Sequence, residues 1–120
     1  MKLLAAALAL WLAHAGNAPT LHGIGRAVIR VKNEFARAPE RSRFSIDEAL
    51  IYDRPVSEPI EIFNASIPDG DHLLEVVVRF RGRAEVRASR SFAVEPLQWT
   101  MIDVVIARDG QVRFTASTRS

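Results

Sequence analysis

Few residues in this chain are of a type that could carry chemistry, and they are widely spaced. Of its three histidines, His14 lies in an apolar leader, His22 in a stretch without periodicity, and only His72 inside a regular pattern. There is no cysteine, and no His-x-x-x-His pair, so a zinc site would have to be assembled from distant carboxylates. Asp69-Gly70-Asp71 has two carboxylates around a glycine, but calcium takes six to eight oxygens, and this triplet reads as an Asx-type turn feeding a strand. No serine sits in a Gly-x-Ser-x-Gly elbow. Glu48, Glu58, Glu61 and Glu75 are the carboxylates from which a hydrolytic pair would have to come, and strand carboxylates usually form a solvated face. His72 shares the parity of Leu74 and Val76, which predicts a partly buried imidazole at one end of the core. The reading is therefore a protein that is not an enzyme and uses no metal or cofactor.

One cluster of charge stands out: Arg79, Arg81, Arg83, Arg87 and Arg90. Glu75 and Glu85 interleave with them, and Phe80 alternates inward, so the aromatic platforms of a single-strand nucleic-acid binder are missing. A nucleic-acid partner is not expected. Arg79, Arg81, Arg83 and Arg87, together with Trp99, are the candidate contacts to an envelope protein or a polysaccharide. The Pro-rich stretch Pro55 to Pro59 supports an alternative, a loop inserted into a hydrolase by a small inhibitor.

The elements that must position these residues are strands. In His72 to Arg81, apolar Leu74, Val76, Val78 and Phe80 alternate with Glu75, Val77, Arg79 and Arg81, the period of a half-buried strand. A three-residue loop Arg81-Gly82-Arg83 sets Val78 opposite Val86 and Val76 opposite Ala88, leaving Leu74 facing Arg90 as a mismatch that would call for a bulge. A second hairpin turns at Arg108-Asp109-Gly110. With Gly110 left-handed, Ile106 faces Val112, Val104 faces Phe114 and Ile102 faces Ala116; the two-residue alternative would bury Asp103 beside Phe114. Earlier in the chain, Ala27, Ile29 and Val31 give one apolar face, and Phe35 is expected to plug an end of the core. One strand is predicted from Ser42 to Tyr52, interrupted near Glu48 by a bulge or a shift of facing residues. Residues 55–63 have strand character at their end, but they belong at an edge or partly outside the sheet, because two prolines remove ladder donors.

About seven short strands and no long helix describe an all-β domain, a small antiparallel β-sandwich of immunoglobulin-like or transthyretin-like type, with a barrel as the second choice. It is expected over residues 26–120, after a flexible lead at 16–25 and a signal peptide at 1–15. Lys2 followed by the apolar run Leu3 to Ala13 suits a signal-peptide core and falls short of the roughly twenty residues of a membrane anchor. Cleavage is expected after Ala15, with Ala18 the alternative, leaving no transmembrane anchor. Export without cysteine points to the bacterial periplasm or to secretion. The formal charge of +2 is too small to imply a polyanion by itself.

The segments Ser45-Ile46-Asp47-Glu48-Ala49-Leu50-Ile51-Tyr52-Asp53-Arg54-Pro55-Val56, Ile62 to Val76 with its Ile67-Pro68-Asp69-Gly70-Asp71-His72 turn, and Arg79-Phe80-Arg81-Gly82 resemble a group of small exported proteins of myxobacteria and their relatives. Many of these are uncharacterised, and the turn-strand motif recurs in carboxypeptidase-regulatory-like domains. The resemblance implies a sandwich fold. Some members carry a dihydrolipoamide acetyltransferase label, but a lipoyl domain presents its lysine in an Asp-Lys-Ala hairpin turn. Here the one lysine outside the leader is Lys32, in Val31-Lys32-Asn33, so the label does not transfer.

Overall fold

Alternating faces of the predicted kind build the whole domain. The computed structural model describes residues 23–119; the expected signal peptide and the lead up to His22 lie outside them. Eight strands follow one another: β1 (Ile24–Asn33), β2 (Arg41–Ile46), β3 (Ala49–Asp53), β4 (Ile60–Pro68), β5 (Gly70–Arg79), β6 (Val86–Val94), β7 (Trp99–Ile106) and β8 (Val112–Arg119). They form two four-stranded sheets, ordered β4-β1-β7-β8 and β3-β2-β5-β6, packed face to face as a β-sandwich. Among the described residues no helix is long and apolar enough to cross a membrane.

The inward rows supply the core. Ala27, Ile29, Val31, Ile102, Val104 and Ile106 from the first sheet meet Phe44, Ile46, Leu74, Val76 and Val78 from the second, and all are fully buried or nearly so. At about 1.5–3 kcal/mol for each large apolar side chain, these rows are the main favourable term. Phe35 caps one end as expected, its ring 4.1 Å from that of Phe80.

Both hairpin registers predicted from face matching are present. Val78 faces Val86 and Val76 faces Ala88 across β5 and β6, while Ile106 faces Val112, Val104 faces Phe114 and Ile102 faces Ala116 across β7 and β8. Gly110 has φ +84°, the left-handed conformation that its loop requires. Leu74 does face Arg90, but no bulge removes the mismatch. β6 is an edge strand, so Arg90 is exposed at the margin of the core even though its partner is buried.

Three features depart from the sequence reading. The expected single strand from Ser42 to Tyr52 is a hairpin, which is why there are eight strands. Asp47 and Glu48 form its two-residue turn with φ +49° and +71°, the mirror-image geometry whose twist suits a tight hairpin. The irregularity lies instead within β3, where the register shifts so that Ile51 is the extra residue. β1 begins at Ile24, inside the stretch expected to be a flexible lead. And β7 runs parallel to β1, making the first sheet mixed while every other pairing is antiparallel. Periodicity reports which face a residue is on; it does not report the direction of the neighbouring strand.

A non-glycine residue in the left-handed region costs roughly 1–2 kcal/mol, and Glu48 lacks the short polar side chain that eases it. Glu48→Gly is expected to raise the unfolding free energy by about 1 kcal/mol in urea denaturation. An unchanged or lower value would show that the turn is relaxed as it stands.

Candidate functional site

Strand directions place four loops at one end of the sandwich, formed by residues 34–40, 54–59, 80–85 and 107–111. Side-chain bonds tie them together. Asn33 donates from Nδ2 to the carbonyls of Arg37 (3.2 Å) and Val56 (3.1 Å), and its Oδ1 accepts from the Phe35 amide at 2.9 Å. Arg83 donates to the Asp109 carbonyl at 3.4 Å, so the two hairpins of opposite sheets meet. Its guanidinium also lies 5.1 Å from the centroid of the Phe35 ring, while that of Arg37 lies 5.9 Å from the same ring. Phe35 is thus wrapped by cations over an aromatic pair, an arrangement that restrains two flexible side chains.

The electrostatics of this end follow from which charges are already matched. Glu34 pairs with Lys32 (3.1 Å), Glu40 with Arg79 (3.9 Å), Asp53 with Arg43 (3.8 Å), Glu85 with Arg87 (2.9 Å) and Asp109 with Arg113 (2.8 Å). In each pair the cation stands on a strand or at its end. Arg37, Arg54, Arg81, Arg83 and Arg108 stand in the loops, all exposed, and none forms an ion pair among the described residues. Glu58 is the one loop carboxylate at this end outside those pairs. The loops therefore carry a local excess of positive charge that the small net charge of the chain conceals.

This divides the five residues singled out from the sequence. Arg81 and Arg83 belong to the cationic end, in the turn closed by the Arg83 amide to the Phe80 carbonyl at 3.0 Å. Arg79 and Arg87 lie on the outer face of the second sheet, each against its own glutamate. Trp99 starts β7 at the opposite end of the molecule on the first sheet, 45% exposed, with the Arg26 guanidinium 5.2 Å from its ring centroid. Ile24 and Leu97, two more exposed apolar side chains, border the same hollow as Trp99. Arg37, Arg54 and Arg108 escaped the sequence reading because the signal that marks them, the absence of a nearby carboxylate, depends on residues far away in the chain.

A second hollow on the surface lies elsewhere. An open groove of 590 Å³ on the outer face of the first sheet is lined by Arg30, Lys32, Ile60, Glu61, Val105 and Thr115 among others. Its central charges neutralise each other, because Arg30 grips both oxygens of Asp103 at 2.8 and 3.1 Å, and this bond raises the Arg30 pKa further. The groove has volume but little uncommitted charge, whereas the loop end has both unpaired arginines and restrained geometry. The four glutamates considered for hydrolysis are scattered. Glu48 and Glu75 line a shallow hollow on the second sheet, Glu61 lies on the first, and Glu58 is in a loop.

At the far end, His72 is buried as anticipated and bonded through both ring nitrogens. Nδ1 lies 2.6 Å from Asp47 Oδ2 and Nε2 2.7 Å from the Pro68 carbonyl. Burial works against the charged imidazole, but the Asp47 bond, the Pro68 carbonyl and the nearby negative charges of Asp47 and Asp71 outweigh it and raise its pKa. Asp47 Oδ1 also accepts from the Leu73 amide, and the Asp47 amide donates to the Leu73 carbonyl, both at 2.9 Å. This triad anchors the β2–β3 turn to β5. Both ring nitrogens are taken up in that work, so the imidazole is not presented to a substrate.

No family model matches the chain, and no curated protein matches it.

Proposed function

We propose that this chain is an exported, non-enzymatic binding module of the bacterial periplasm or cell envelope, and that it grips an acidic polysaccharide through its cationic loop end. The observation that carries the reading is the set of loop arginines that have no carboxylate partner among the described residues while the neighbouring acids are matched to strand cations. Guanidinium forks suit planar carboxylates and sulfates. A polysaccharide fits better than an acidic protein surface, since protein interfaces centre on buried aromatic and aliphatic anchors. At this end Phe80 is buried and Phe35 is partly buried against it, and among the described residues Ile60 is the one exposed large apolar side chain. The apolar leader supports export.

The inhibitor alternative needs a loop that projects. Residues 55–59 do leave the sheet, but Val56 is 1% exposed and its carbonyl is held by Asn33, which keeps the segment against the core.

The test is binding to alginate, a polyuronate, by the wild type and by a variant with Arg37, Arg54, Arg81 and Arg108 changed to serine. Arg83 is spared because it is hydrogen-bonded to the β7–β8 turn as well as lying over Phe35, whereas Arg37 makes only the longer ring contact. Exposed ion pairs contribute roughly 0.2–1 kcal/mol each, so four lost contacts weaken binding by between about fourfold and several hundredfold, with thermal melting unchanged. Binding should also fall with added salt. Equal binding by both proteins, or no binding by the wild type at low salt, overturns the reading.

A further inference from the structure

Four strands form the margins of the two sheets: β4 and β8 in the first, β3 and β6 in the second. A margin strand offers backbone donors and acceptors to any extended chain, and proteins guard against this with short strands, bulges, prolines or inward charges. Three of the four margins are guarded. β3 has five residues and a register shift at Ile51. β4 is shifted opposite Ile29 and Arg30 and is bracketed by Pro59 and Pro68. β6 carries Arg90 on its inward row. β8 has no bulge, proline or inward charge: it runs eight residues in unbroken register with β7, its inward row is Val112, Phe114, Ala116 and Thr118, and its two charges, Arg113 and Arg119, stand on the outer row, Arg113 already paired with Asp109.

The hairpin geometry tells which backbone groups of β8 are not used in pairing with β7. The Ala107 amide donates to the Gln111 carbonyl at 2.8 Å, so that pair is hydrogen-bonded. Antiparallel pairs alternate, which makes Ile106 and Val112 a non-bonded pair, Val105 and Arg113 a bonded one, and so on along the ladder. The amides and carbonyls of Val112, Phe114, Ala116 and Thr118 therefore point away from β7.

We propose that β8 is a dimerisation edge, to which β8 of a second copy of this chain adds antiparallel about a two-fold axis at Thr115. In that register Val112 meets the partner's Thr118 and Phe114 meets the partner's Ala116, and the reciprocal pairs repeat this. Every outward amide and carbonyl of the four residues is then bonded, and an aromatic ring lies across from a small side chain. Moving the axis to Ala116 sets Arg113 directly against the partner's Arg119, like charge on like charge. Moving it to Phe114 leaves Thr118 opposite Gly110 of the partner's turn. The proposed register avoids both, since Arg113 faces the partner's Ser117. The second copy is favoured over a foreign strand because the segment completes its own bonding symmetrically, and the two first sheets become one continuous sheet of eight strands.

The experiment uses the absence of cysteine. Thr115 is a non-bonded pair with its own copy at the axis, where Cα atoms lie about 4.5 Å apart, within disulfide range. Thr115→Cys is expected to form a covalent dimer under mild oxidation at least about tenfold faster than Ser117→Cys or Arg113→Cys. Adding Ala116→Pro, whose lost amide faced solvent, or Ala116→Lys, which copies the Arg90 guard, should abolish the cross-link and give a monomer in sedimentation velocity, with the melting transition retained. Equal cross-linking at residues 115 and 117, faster cross-linking at 117, or a wild type that sediments as a monomer up to millimolar concentration overturns the proposal.

Discussion

Replacing Asp47 with alanine is expected to lower the unfolding free energy by about 2–3 kcal/mol, less than for a fully buried charged pair because the Asp47 side chain keeps 29% exposure while His72 is buried. The carboxylate serves two groups at once, the His72 ring nitrogen and the Leu73 amide, and the backbone of Asp47 sits in a turn of two left-handed residues. Without it, a buried imidazole loses the partner that offsets its desolvation, and the strained turn loses its anchor to β5. The Pro68 carbonyl and the ionised Asp47 both only accept, so a single proton on the ring cannot satisfy both contacts and the imidazolium can. The folded pKa of His72 is accordingly raised above 6.5. A raised folded pKa means that the stabilisation is complete below the unfolded value and is lost as pH rises through the folded one. In urea titrations the wild-type midpoint should stay level below about pH 6.5 and decline on the alkaline side, whereas Asp47→Ala should be lower throughout and lack that alkaline decline. Asp47→Asn keeps a hydrogen-bond partner without the charge and should fall between. A wild-type midpoint that is flat from about pH 5 to pH 9 would remove His72 from the account.

The same triad shows where the sequence was legible. His72 could be placed at the core margin because its parity matched Leu74 and Val76, and burial confirms it at 8% exposure. Its partner could not be found, since Asp47 lies in a turn without the usual Asn-Gly or Asp-Gly signal. The break in alternation at Asp47-Glu48-Ala49 was visible, but a bulge and a two-residue turn interrupt alternation in the same way. The hairpins were readable because one register buries matching apolar rows and its alternative buries a charge. The loop arginines were less so. Arg79 to Arg90 cluster in sequence, yet alternation sends them to different faces, and what each does depends on remote groups such as the Glu40 carboxylate and the Asp109 carbonyl. Trp99 shares a spatial neighbourhood with Ile24 and Leu97, separated from it by very different lengths of chain.

Gly25→Ala is expected to destabilise the domain by about 1–3 kcal/mol or more, an overpacking cost at a site with little room to yield. In the sequence this glycine ends a stretch that reads as slack, yet it is buried in β1. A methyl group there would lie 2.4 Å from the Glu95 carbonyl oxygen, 2.5 Å from Val94 Cγ1 and 3.2 Å from the Gln98 carbonyl oxygen. Two of those three are backbone, so the clash cannot be relieved by turning a side chain. The segment it would displace links β6 to β7, and it is bonded to β1 on both sides of Gly25, by the Leu97 amide to the Ile24 carbonyl (3.0 Å) and by the Arg26 amide to the Gln98 carbonyl (2.9 Å). Pushing it away strains the start of the parallel β1–β7 pairing, where Arg26 sits beside Trp99. Gly70→Ala is the control: it has φ +109° but nothing near the added methyl, so it reports backbone strain alone. Urea denaturation of the two variants separates the causes. A Gly25→Ala protein as stable as wild type would mean that the β6–β7 crossing yields freely and that close approach is not why glycine stands there.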